Sequence, residues 1–240
     1  REGLIMNLTA SPQDRIEVQR RVSAAAAALP AGAREAGVWS PEWRRYDEAF
    51  TAPTQVNFAG KGGALYQTGY RLDGSIFAVL NHLRTTWIWD RVRVQGGAYG
   101  AMVQFDPLTG LLVYVSYRDP NLLETLEVYD RTPEYLEGLS LGPDELRKSI
   151  IGAVGDMDPC LLPDAAGWTA LRRHLAGVTD EERQRLRDEL LAATPQRFRD
   201  LAAPLRSLAS GGLVVALGSP GTVAKANEVS GGRFRLTALL

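Results

Sequence analysis

WIWDRVRVQGGAYGAMVQFDPLTGLLVYVSYRDPNLLETLEVYD, residues Trp87–Asp130, is the stretch whose reading decides the fold. A helical pattern ends at Val94, and Gly96 and Gly97 offer the positive-φ freedom that a helix exit needs. Ala98 to Phe105 reads as a strand. Asp106-Pro107-Leu108-Thr109-Gly110 is a turn signal, with Pro107 pre-set for the second turn position. Leu111 to Tyr117 reads as the returning strand. Asp119 then serves as a helix N-cap, with Pro120 at the first helical position. The stretch predicts helix, Gly-Gly exit, hairpin and capped helix.

Upstream, Ser75 reads as the cap of a helix running to Val94. Its apolar residues at 76, 79, 80, 83 and 87 follow the spacing of one buried face. Gln55 to Ala59 reads as a short strand and Ala64 to Tyr70 as a further extended segment. Downstream, helices are predicted over 122–138, 142–154, 165–175, 179–193 and 194–208, with acids Asp180, Glu181 and Glu182 in a first turn, where the helix dipole favours them. Gly212 to Leu217 is a strand, Ser219-Pro220 opens a helix, and Arg233 to Leu239 reads as a last strand. This is an α+β pattern: an antiparallel or mixed sheet with helices packed on one face.

The two ends resemble each other. GLIMNLTASP at Gly3–Pro12 and GLVVALGSP at Gly212–Pro220 both read as a strand followed by an Ser-Pro-capped helix. The first helix is predicted to run to Leu29, with Ser11 and Asp14 in capping-box position. The second copy closes the domain in hand. The first is expected to close a domain that precedes it. The predicted organisation is therefore residues 1–50 as a closing strand-helix plus linker, in which Trp39, Trp43 and Tyr46 pack on one domain or the other, and residues 51–240 as the main domain.

Bulk properties exclude several classes. A net charge of -1 argues against a nucleic-acid or anionic-membrane partner. No run reaches the about 18 apolar residues of a membrane span, and there is no signal-peptide pattern. The lone Cys160 cannot form an internal disulfide, which fits a reducing, cytoplasmic setting, and no histidine stands near it to activate a thiol nucleophile. Gly60-Lys61-Gly62-Gly63 lacks the spacing of a phosphate loop. G-x-S-x-G is absent around Ser75, and Asn7-Leu8-Thr9 reads as part of a strand rather than as a glycosylation site. Asp156 and Asp158 supply too few oxygens for a hard cation.

VRVQGGAYG, the hairpin and SYRDPNLLETLEVYD, together with PTQVNFAGKGG at Pro53–Gly63, resemble the C-terminal half of presequence proteases, a branch of the pitrilysin/insulinase superfamily of zinc peptidases. The resemblance spans most of the chain from Gly3 to about Asn227 and is densest over Pro53–Asp130. Such enzymes hold zinc through H-x-x-E-H. Neither His82 nor His174 opens that motif, and both read as ordinary helix residues, partly exposed. The resemblance therefore implies a non-catalytic half: no cofactor in this chain, zinc in an N-terminal half of the same polypeptide, and unfolded peptides as substrates. This chain alone is expected to be inactive.

The resemblance also implies roles for Arg93 and Tyr99, which stand on the two sides of the Gly-Gly. Arg93 would bind substrate backbone. The Tyr99 hydroxyl would hydrogen-bond the carbonyl under attack, where negative charge develops. Gly96 and Gly97 would let a peptide lie close. Spacing alone favours a plainer arrangement, with Arg93 in a surface ion pair with Asp90 and Tyr99 packed in the sheet; the resemblance reverses that preference. A second function fits the same residues: a zinc-free peptide-binding or scaffold subunit. An H-x-x-E-H motif upstream in the same reading frame distinguishes the two.

Overall fold

A computed structural model describes residues 3–30, 32, 37, 38, 40 and 45–239. Trp39 and Trp43 lie outside the described residues. The chain divides into two compact units, Arg1–Trp43 with Asp158–Arg183, and Arg44–Met157 with Gln184–Leu240.

The larger unit is a six-stranded mixed sheet. Its strands are β1 (Asp47–Thr51), β2 (Asn57–Ala64), β3 (Gly100–Asp106), β4 (Leu111–Asp119), β5 (Leu213–Gly218) and β6 (Phe234–Ala238), in the order β3-β4-β2-β5-β1-β6. β1 runs parallel to β5 and β6; β2 is antiparallel to β4 and β5, and β3 to β4. Burial alternates along the strands, as a period of two requires. Ala59, Lys61, Leu112, Tyr114, Val214 and Ala216 are all at most 2% exposed. Their neighbours Phe58, Gly60, Val113, Val115, Tyr117 and Val215 are half-buried or exposed on the opposite face. The buried face carries helices α2 (Ser75–Thr85), α3 (Leu123–Asp130), α9 (Ala202–Gly211) and α10 (Pro220–Val229). The α+β architecture with helices on one face is the predicted one.

Several boundaries differ, each for a local reason. The helix expected over 75–94 stops at Thr85, and Thr86 has φ -126 and ψ -88. Thr85 and Thr86 both turn their hydroxyls back onto the carbonyls of Asn81 and His82, competition that bends or ends helices. The chain resumes as a π-helical stretch, Trp89–Gln95. The helix expected over 122–138 is two, α3 and α4 (Thr132–Glu137), with Pro133 in the first turn of the second. The one expected over 194–208 is α8 (Pro195–Asp200) and α9, with Pro204 likewise in a first turn; proline is tolerated only there. Residues 64–70 hold a 3-10 turn, Leu65–Thr68, rather than an extended segment. Ser75 is not the cap of α2: Asp73 Oδ1 accepts from Ser75 N. Asp119 ends β4 instead of capping a helix at once; its carboxylate accepts from Asn121 N and the Thr125 hydroxyl. β1 lies inside the stretch read as linker. It forms because β5 and β6 flank it on both sides and Ala49 is fully buried.

Other signals match. Thr194 and Ser219 cap their helices, accepting from Arg197 N and Thr222 N. Gly110 closes the hairpin with φ +73. α5 (Pro143–Met157) begins at the predicted Gly-Pro-Asp signal.

The smaller unit contains α1 (Arg15–Ala28), α6 (Pro163–Ala176) and the start of α7 (Asp180–Leu191). Residues 4–10 form no strand, contrary to expectation. They lie beside α6, where the Asn7 amide donates to Gly167 O at 2.9 Å. Ser11 forms a turn ahead of α1, with Asp14 N and Arg15 N on Ser11 oxygens, but the helix starts at Arg15 with Asp14 rather than Ser11 at its N-cap. Neither α1 nor α6 has a buried residue.

His82 is buried at 4% exposure, not partly exposed as expected. Its Nε2 lies 2.8 Å from the Tyr135 hydroxyl, and its ring contacts Tyr135 and Phe198. Burial pushes its pKa below the ordinary value, and Glu145 opposes this to a lesser extent. In the unfolded chain it titrates near ~6.5. Below that pH the unfolded state binds more protons, so this contribution to stability is complete above ~6.5 and is lost as pH falls through the folded-state pKa. Urea midpoints measured from about pH 7.5 downward should fall, and His82→Gln should flatten the fall that begins near about pH 6.5. An unchanged slope in the variant would assign the effect to other groups.

Candidate functional site

The sequence-predicted residues sit where the π-helical stretch meets the sheet. The wider turn leaves Gly96 N on Arg91 O at 3.1 Å, Gly97 N on Arg93 O at 3.0 Å and Ala98 N on Val92 O at 3.1 Å. A Cβ on Gly96 would meet Val92 O at 2.6 Å, so the position has no room for a side chain. Gly97 adopts φ +80, a left-handed conformation that glycine adopts without strain. The exit is fastened by Asn121, whose amide donates to Gly96 O at 2.6 Å. π-helical insertions of this kind occur frequently at functional sites.

Arg93 makes no ion pair with Asp90 among the described residues. Its guanidinium lies 4.0 Å from the centre of the Trp89 ring, four residues earlier. The ring orients the plane of the guanidinium and leaves its N–H donors at the edge. Tyr99 is 67% exposed and precedes β3. Its N–H donates to Arg118 O at 3.2 Å. Its ring meets Tyr117 edge-on at 5.8 Å, and Tyr117 in turn meets Phe58 at 5.4 Å. Arg118, with φ +50, holds its guanidinium 6.0 Å from the Tyr99 ring. Arg93 and Tyr99 thus make separate contacts, one on an indole and one on an aromatic row, and the Tyr99 ring stands largely in solvent.

Trp89, Tyr117 and Arg118 were missed by sequence reasoning. The i, i+4 spacing of Trp89 and Arg93 carried a usable signal. The Tyr99–Tyr117 contact follows only from the hairpin register, in which Gly100 faces Tyr117.

The chain's own residues do not fit a zinc ion. His82 is committed to Tyr135, His174 is exposed on α6, and no group of three His, Cys, Asp or Glu converges among the described residues. A zinc site needs about three protein ligands and an open position.

The family described as "PreP C-terminal domain" matches residues 47–219. The chain belongs to that family. It is 43% identical, over its whole length, to presequence protease 1, chloroplastic/mitochondrial, of Arabidopsis thaliana, and spans 22% of that protein. The fold is that of the peptidase M16 inactive domain from Pseudomonas fluorescens, with TM-score 0.58 and 18% identity over 88% of this chain and 51% of that one. Pitrilysin is also similar, with TM-score 0.54 and 11% identity over 87% of this chain and 23% of that one. The π-helical exit, hairpin and aromatic row all lie inside the segment matched to the PreP C-terminal domain. No helix among the described residues is long and apolar enough to cross a membrane.

Proposed function

We propose that this PreP C-terminal domain is the non-catalytic half of a zinc metalloendopeptidase that degrades short unfolded peptides. In this reading the N-terminal half of the same polypeptide supplies zinc and the general base. This half supplies the chamber wall, with Arg93 on substrate backbone and Tyr99 donating to the carbonyl under attack. The observation that carries it is the exposed Tyr99, which follows directly on the glycine exit with its ring edge-on to Tyr117. Amide hydrolysis needs a fixed donor where oxyanion charge develops, and the ring contacts of Tyr99 leave its phenol end accessible. Gly96 and Gly97 let the chain make the close exit, against Val92 O and Pro120, that presents Tyr99. Residues 3–29 are, in the same proposal, a closing segment of a preceding domain, supported by the absence of any buried residue on α1. A reducing setting such as the cytoplasm is part of the reading, supported by the exposed free Cys160.

The isolated chain should hydrolyse no peptide and hold no stoichiometric zinc by elemental analysis. The full-length polypeptide should do both. A tightly held zinc in the isolated chain, lost on changing His82 or His174, would overturn the proposal. A full-length polypeptide with no H-x-x-E-H and no activity would leave the zinc-free peptide-binding subunit as the function.

A further inference from the structure

Sheet order leaves β3 at an edge. Tyr99 N donates to Arg118 O, and antiparallel partners alternate between hydrogen-bonded and non-bonded pairs. With Gly100 facing Tyr117, the backbone groups of Ala101, Val103 and Phe105 are spent on β4. Those of Gly100, Met102 and Gln104 point away from it. None of these outward groups has a hydrogen-bond partner among the described residues. An unpaired edge is a template for another extended chain.

Beside this edge lies a pocket of about 350 Å³ between β3, α2 and α5. Phe77, Leu80, Val103, Phe105, Ala153 and Met157 line it, and the exposed Arg84–Asp156 ion pair borders it. A residue paired across the edge from Val103 projects its side chain to the same face as Val103, which is the face of the pocket.

We propose that β3 captures an unfolded peptide by strand addition, its backbone pairing with Gly100, Met102 and Gln104 and one bulky apolar side chain filling the pocket lined by Leu80, Phe105 and Met157. Backbone pairing gives sequence-tolerant affinity, and the pocket gives preference. The ligand class is an extended segment with an aliphatic or aromatic residue among small or polar ones. β3 begins directly after Tyr99, so a strand held there runs past the Tyr99 side chain. The choice of an unfolded peptide as occupant rests on the proposed function; the free edge and the pocket do not.

The test uses the isolated chain and a synthetic, unstructured peptide of roughly ten residues, enough to span β3. Its Ser/Thr/Gly background carries one central Leu. Amide exchange at Gly100, Met102 and Gln104 should slow on binding. Replacing the central Leu by Ala should weaken Kd about tenfold or more. Methylating alternate peptide nitrogens should do the same, because edge hydrogen bonds are lost. Met102→Pro removes one outward donor and leaves the β4 ladder intact, so it should weaken binding about tenfold with an unchanged melting temperature. Ala153→Leu, which fills the pocket, should erase the preference for Leu over Ala. No binding, binding without protection of these amides, or equal binding by the methylated peptide would overturn the inference. So would concentration-dependent protection without peptide, which would make the occupant a second copy of this chain. Edge binding is read without turnover. Its failure alongside a Tyr99-dependent full-length enzyme would remove only this inference.

Discussion

In the full-length polypeptide, Tyr99→Phe should lower peptide turnover by about 100-fold, the scale of losing one oxyanion donor. The substitution removes a hydroxyl and little else. The ring keeps its edge-on contact with Tyr117 and its place beneath Arg118, and the phenol end stands largely in solvent, so no buried group is orphaned. KM, zinc content and melting temperature should therefore barely move, and the loss should fall on kcat. Arg93→Ala should behave differently. In its proposed role it removes a ground-state contact, so KM should rise as well. Trp89→Ala should reproduce part of the Arg93→Ala effect, because the indole is what holds the guanidinium in place. Full activity in Tyr99→Phe would reduce this surface to a wall of the chamber.

Lys61→Ala should lower the stability of the sheet unit by about 3 kcal/mol. Lys61 is 2% exposed in the middle of β2, on the face covered by helices. Its ammonium pairs with Asp130 at the end of α3 and donates to Ala209 O, 2.6 Å away in the last turn of α9. Removing it leaves a half-buried carbonyl without this donor, an unpaired carboxylate and a cavity. The Asp130 side chain is 34% exposed, so water screens part of the loss, which is why the figure sits at the lower end of the range for buried pairs. Lys61→Met preserves volume and should cost less. Urea unfolding read by tryptophan fluorescence checks both. A loss below about 1 kcal/mol in Lys61→Ala would mean the pair is worth no more than a surface contact.

What could be read from local sequence was the part encoded in local chemistry. The hairpin was legible because Pro107 and Gly110 dictate the turn and the flanking residues alternate. The starts at Thr194 and Ser219 were legible because a short hydroxyl side chain followed by proline satisfies a helix N-terminus in few other ways. Arg93 and Tyr99 were singled out only through the family resemblance, since their spacing alone favoured an ion pair with Asp90 and a tyrosine packed in the sheet. Their contacts with Trp89 and Tyr117 were not legible, because one depends on the i, i+4 face of an irregular helix and the other on cross-strand register.

The tertiary structure decided whatever depends on a neighbour remote in sequence. Residues 4–10 and 213–218 have nearly the same grammar, yet only the second is a strand, since β2 and β1 lie on either side of it. Asp47 to Phe50 looked like linker and belong to a strand for the same reason. Gly60-Lys61-Gly62-Gly63 showed only that it is no phosphate loop; strand pairing, Asp130 and Ala209 make Lys61 a core residue. His82 looked partly exposed, and Tyr135 and Phe198 bury it. A β-strand and a buried charge both draw their free energy from partners supplied by the fold, whereas a turn or a cap draws it from residues a few positions away.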